Sequence, residues 1–360
     1  MRWLSQSCCE KELPFRSDVA STISLHSLNC QPPASASFAR LTSLRPPILI
    51  VMAITLAAVQ AVAFEPPGPA ARRAAVGDLS RFPALLHRAF DPDSAAFEPI
   101  PAPAANDWLN LHEEPGQTLQ QFVASGPNRP DSGRRVIYFQ PLGDFIPAKS
   151  PSVARLREFA TAFFGLEVKM LPPVPVAAWK ITTRQNPYTG KPQLLTADIL
   201  KTLPSRLLPD GFCVLAITME DLYPDPSWNY VFGQASLRER VGVYSFARYD
   251  PLFFDEERGP DYQVLLERRS CSVLAHETGH MFGLAHCIYF KCVMNGSNHL
   301  AESDGRPLHL CPVCLRKLQW SVGFDVVQRY TALERVARNA GFLDEAGWLA
   351  PRIKTIRGGE

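Results

Sequence analysis

The residues with the plainest chemical potential in this 360-residue chain lie in one short run, His276-Glu277-Thr278-Gly279-His280. Two histidines four apart share a face of a helix, about one turn apart, and can grip a single cation from the same side. Glu277 follows His276 directly, so it projects beside that cation and can take a proton from water bound there. Two ligands do not complete a site. Gly283 stands three residues after His280, and glycine can adopt the left-handed backbone that ends a helix. The chain can then reverse and bring in His286 as the third ligand. Three histidines leave a fourth position for water, as a catalytic zinc requires. The full HExxHxxGxxH spacing is a zinc-peptidase pattern and far more specific than HExxH alone. The competing reading is a helix whose histidines are simply solvated.

Cysteine spacing gives a second signal. Cys287 and Cys292 are four residues apart in the intervening sequence, and Cys311 and Cys314 are separated by Pro312-Val313. Two close pairs joined by a longer loop are how four thiolates enclose a tetrahedral structural zinc. A redox CxxC or two disulfides are the alternatives. A redox pair would follow a strand in a thioredoxin-like unit, and none is visible. Two zinc ions per chain are therefore expected, one catalytic and one structural. Because Cys287 follows His286, the closed site staples the backbone beside the third ligand of the open one. With both sites full, His299 and His309 are read as solvated or hydrogen-bonded. Cys213 and Cys271 read as core thiols, while Cys8, Cys9 and Cys30 fall in a Ser-rich N-terminal stretch.

The elements that must position these groups show in the periodicity. Val136–Leu142, Leu166–Leu171 and the strongly apolar Phe212–Met219 read as strands, and Asn229–Leu237 with Val241–Tyr249 as a strand pair. Helices are expected over 152–164, 196–203, 262–285, 313–324 and 326–339. Strands alternating with helices predict a mixed α/β fold. It has a twisted, mostly parallel sheet, a long active-site helix and a C-terminal helical, zinc-stapled subdomain. Eighteen of the 33 prolines precede residue 148, so the N-terminal third is expected to be loosely organised, with extended Pro-rich linkers. The predicted organisation is an N-terminal extension over 1–75, a catalytic domain over 76–340 and a tail over 341–360. A net charge of +2 is too small to argue for nucleic acid or an anionic membrane.

Ile48–Phe64 is an apolar run broken by Thr55 and Gln60, at the short limit for a membrane span. A signal or anchor segment, an overlong N-terminus with a start near Met52, and a helix buried in the fold are its three readings. Membrane association or secretion is expected only under the first.

The run HETGHMFGLAHC, then Cys292-Val293-Met294, then CPVCLRKLQ resembles the archaemetzincins, a branch of metzincin-like zinc metallopeptidases. DLYPDPSWNYVFGQASL, GVYSFARY and GSNHL also look like the family, and the resemblance extends from about Asp78 to Arg338. It implies that His276, His280 and His286 hold the catalytic zinc, that Glu277 is general base and acid, and that Cys287, Cys292, Cys311 and Cys314 hold a second zinc. It also implies that Met294 lies under the catalytic zinc; by sequence alone Met294 reads equally as a core residue. A peptide or protein substrate and a cytoplasmic location follow from the same resemblance. The alternatives are a non-catalytic zinc-binding module, which the intact Glu277 argues against, and a zinc hydrolase of a non-peptide amide. Some metzincins place a tyrosine shortly after this methionine, whereas here Asn295-Gly296-Ser297 follow, so no side chain is assigned to stabilise an oxyanion. The Asn229–Leu237 strand is expected to offer an edge to an extended substrate.

Overall fold

The structure, a computed structural model, describes residues 4–5 and 64–358. The apolar run therefore lies, up to Phe64, outside the described residues, as do Cys8, Cys9 and Cys30. Among the described residues no helix is long and apolar enough to cross a membrane.

The strands are β1 (Leu4–Ser5), β2 (Val136–Leu142), β3 (Val168–Met170), β4 (Thr183–Gln185), β5 (Pro192–Leu195), β6 (Gly211–Thr218), β7 (Asp221–Tyr223), β8 (Gly233–Ser236) and β9 (Val241–Ser245). Six form one sheet in the order β1-β8-β9-β6-β2-β3, and β4-β5-β7 form a second. In the larger sheet β3, β2, β6 and β9 run parallel, while at one edge β8 pairs antiparallel with β9 and β1 antiparallel with β8. The central β6 is buried along its whole length. Cys213, Leu215 and Ile217 join the main core, and Val214 and Ala216 join a smaller core on the opposite face. A strand covered on both faces has no solvated side to mark with polar residues, which is why 212–219 reads as a continuous apolar run. The outer edge of β8 is paired with β1 through Leu4↔Ala235 and Ser5↔Gln234, so the edge expected for substrate is already taken.

The helices are α1 (Pro69–Val76), α2 (Ala84–Phe90), α3 (Trp108–Leu111), α4 (Leu119–Ala124), α5 (Val153–Phe164), α6 (Thr196–Thr202), α7 (Tyr262–Met281), α8 (Leu300–Asp304), α9 (Pro312–Val322), α10 (Val326–Ala340) and α11 (Leu343–Arg357). α5 starts where Ser152 accepts a hydrogen bond from the Arg155 N–H, and it stops at Gly165, whose φ is +62°. Such caps satisfy orphan backbone groups at helix ends. α7 lies against α5, β8 and β9 and is buried from Ser270 through Met281.

Two expectations are corrected. The C-terminal tail is α11, which packs on α10 and α2 and buries Leu349 and Ile356. The described part of the N-terminal third, from residue 64 on, is not loose either: Ala75, Val76, Phe90 and Phe122 are buried in the main core. These two segments hold each other. Buried Arg352 of α11 donates to the carbonyls of Arg88 and Ala89, the Arg88 side chain donates to the Ile356 carbonyl, and Trp348 donates to the Ala96 carbonyl. The Pro-rich stretch is extended, as expected, but it is no free linker. Pro99 bridges antiparallel to Phe290, and Lys291 N–H donates to Glu98 O. It thus lines the loop between Cys287 and Cys292.

Candidate metal centres

α7 ends at Met281, two residues before Gly283, whose φ is +83°. A Cβ there would also meet Pro127 at 2.7 Å, so both backbone and space call for glycine. Past this turn the chain reverses, and the imidazole rings of His276, His280 and His286 come within 4.7–5.2 Å of one another, centre to centre. One ring nitrogen from each lies within 4.8 Å of the others.

Hydrogen bonds decide which nitrogen each ring presents. His276 Nδ1 lies 2.8 Å from the Val293 carbonyl, and His280 Nδ1 lies 2.6 Å from the Leu284 carbonyl. A carbonyl only accepts, so each Nδ1 carries the proton and each Nε2 presents a lone pair. Burial pushes the His276 pKa well below its usual range and that of His280 down to about 3, so both rings are neutral at pH 7. Their Nε2 atoms nevertheless stand 3.0 Å apart. Two lone pairs that close repel unless a cation lies between them. His286 Nε2 is buried without a hydrogen-bond partner. This donor set fits a zinc ion: neutral imidazoles, converging nitrogens and a buried acceptor with nothing to bind.

Glu277 sits beside these histidines, 3% exposed. Burial raises its carboxyl to about 8, and the charge of Arg306 opposes the rise. Its Oε1 has no hydrogen-bond partner. Met294 is fully buried against α7: a Cβ on Gly279 would lie 2.6 Å from the Met294 sulfur. Gly279 weakens the helix, and this contact is its physical reason.

The four cysteines gather as the spacing suggests, all buried, unbridged and with sulfurs within 4.8 Å. Burial raises Cys311, and the Cys287 sulfur raises Cys314. At Cys287 the three neighbouring sulfurs outweigh burial and hold the thiol well below its usual range. The Cys292 sulfur accepts from the N–H groups of Met294 and Cys311. Asn295 ties the loop together, donating to the Cys287 and Phe290 carbonyls and accepting from Cys292 N–H. Cys213 and Cys271 are buried core thiols. His309 bonds to Glu345 and stacks on Trp348, away from both centres. His299 lies near Asp107 and Glu302. There Glu302 accepts the Trp108 and Asn298 N–H groups, and His299 Nδ1 accepts from Glu302 N–H.

Sequence reasoning missed three participants. Arg306, buried, donates to the Asn295 carbonyl beside His276. Glu114 Oε1 lies 2.6 Å from His286 Nδ1. Gln117 donates to the Gly283 carbonyl and accepts from Ala285 N–H, clamping the turn. Glu114 and Gln117 carried no local signal, because each acts across a long sequence separation.

Two histidines and a glutamate on one long helix, a glycine turn and a third histidine thus form a group that could hold a metal ion. Residues 206–320 match the model of peptidase family M54. Archaemetzincin-2 of Macaca fascicularis is 43% identical over 279 residues, covering 70% of this chain and 77% of the relative, and archaemetzincin-2 of Homo sapiens gives the same figures. The crystal structure of archaemetzincin from Methanopyrus kandleri is 32% identical, with a TM-score of 0.40, and covers 53% of this chain and 97% of that one. The chain belongs to the archaemetzincin family of zinc metallopeptidases.

Proposed function

We propose that the chain hydrolyses peptide bonds with zinc held by His276, His280 and His286, with Glu277 as general base and acid. The observation that supports it best is the pair of unpartnered, buried acceptors, His286 Nε2 and Glu277 Oε1, beside two Nε2 lone pairs 3.0 Å apart. A zinc ion bound there supplies a Lewis acid that polarises the scissile carbonyl and acidifies water. Glu277 holds the proton of the attacking water at its carboxylate and passes it to the leaving nitrogen. Its raised pKa suits a group that must both take and give a proton near neutrality. Cys287, Cys292, Cys311 and Cys314 would hold a second zinc with no open position, for stability and not for chemistry.

Metal analysis combined with a peptide-library assay on wild type and Glu277→Gln tests this. Two zinc ions in both proteins, and cleavage reduced about 10²–10⁴-fold in the variant, are expected. Two zinc ions with no cleavage of any library peptide by wild type would favour a non-catalytic zinc-binding module instead.

A further inference from the structure

His276 and His280 stand on α7, and loop carbonyls fix their rings. His286 stands past the helix end, and among the described residues no backbone group bonds its ring nitrogens. Its Nδ1 partner is a carboxylate delivered from 172 residues upstream, Glu114 at 2.6 Å. We propose that Glu114 is the positioning residue of the third zinc ligand: it fixes the His286 ring with Nδ1 protonated and Nε2 turned to the metal. This rests on the ligand assignment above.

Glu114 is itself held. The Trp108 indole N–H donates to the same Oε1 at 2.8 Å, and the indole meets the His286 ring edge to face, 5.1 Å between centres. Trp108 is anchored in turn, its backbone N–H donating to Glu302 and its ring filling the space over Gly296, where a Cβ would approach the indole to 2.4 Å. Three residues after Glu114, Gln117 bonds both sides of the Gly283 turn. The segment is thus locked to the loop after Met294 at one end and to the α7 terminus at the other, and Glu114 lies between. It approaches the ring from the Nδ1 side, so it is not a fourth ligand. A carboxylate on the distal nitrogen of a metal-bound imidazole fixes its tautomer and orientation and strengthens it as a donor. A charge-assisted bond is also stronger than the carbonyl bonds that serve the two helical histidines.

The test is zinc affinity, read by competition with a chelating dye on wild type, Glu114→Ala, Glu114→Leu, Glu114→Gln and His280→Ala. Glu114→Ala is expected to bind the three-histidine zinc roughly 10–100-fold more weakly while keeping the four-cysteine zinc. Glu114→Gln, whose amide oxygen still accepts from Nδ1–H, should fall between Glu114→Ala and wild type. Should Glu114→Ala lose both metals, Glu114→Leu fills the same space without an acceptor and replaces it. Affinity within twofold of wild type, in either variant that retains the four-cysteine zinc, overturns the role of Glu114 if His280→Ala loses one zinc. If His280→Ala keeps both, the ligand assignment itself falls, and the role of Glu114 with it.

Discussion

Glu277 couples the proposed chemistry to stability. Its carboxyl rises from 4.5 to about 8 on burial, so the folded chain binds that proton more tightly than the unfolded one. The stabilisation is complete below about pH 4.5 and is lost as pH rises through 8, with a slope of at most about 1.4 kcal/mol per unit. In a His286→Ala background, which should leave the three-histidine site without zinc, adding Glu277→Gln is expected to flatten this fall. Denaturant unfolding at pH 5 and pH 8 measures it, and equal pH dependence of the two chains would contradict the buried carboxyl. Gly279 sets two effects against each other. Replacing glycine by alanine inside a helix gains about 1 kcal/mol, but overpacking a filled core loses about 1–3 kcal/mol. Because Met294 is fully buried and 2.6 Å from the added Cβ, Gly279→Ala should lower the melting temperature. A rise would mean that Met294 moves aside freely.

At the scale of elements, α11 is the clearest gain from the structure. Gly347 and Pro351, both within it, read locally as breakers, so the segment offered little as a helix. Its partners lie far back in the chain: Trp348 donates to the Ala96 carbonyl and Arg352 to those of Arg88 and Ala89. Leu349→Ala, at a position 1% exposed, is expected to destabilise by about 2–5 kcal/mol in chemical denaturation. A substitution in a solvated tail would stay within about 0.5 kcal/mol. The strands β4, β5 and β7 went unread for a related reason. At three or four residues each, they are too short for a period to show. By contrast β2, β6 and α5 agree with their sequence pattern nearly to the residue, because apolar spacing over seven or more positions is a local signal.

Across the whole molecule, the two candidate metal centres share one loop. Cys287 follows His286, its N–H donates to the Met294 carbonyl, and Asn295 binds three backbone groups between them. Loss of the four-cysteine metal should therefore reach the catalytic centre through the backbone. Cys311→Ser is expected to lose one zinc and most activity, although Cys311 touches none of the reacting groups. Zinc stoichiometry and peptide cleavage measured together check this, and full activity with a single zinc would overturn it. The N-terminal segment closes the other side of the same centre through Trp108, Glu114 and Gln117.

The grouping of His276, Glu277, His280 and His286 on and just past one helix was legible in the sequence, because their spacing is fixed by the 3.6-residue turn and by a glycine whose backbone freedom is a local property. So was the four-cysteine group, since close pairs of thiols on short loops can converge in few ways. Only the tertiary structure decided that α7 stops at Met281, that Met294 lies on Gly279, that Glu114 meets His286, and that the first and last parts of the described chain brace one another. Those contacts join residues up to about 270 positions apart, as between Arg88 and Ile356. No periodicity encodes them, because they depend on which surfaces the folded core leaves facing each other.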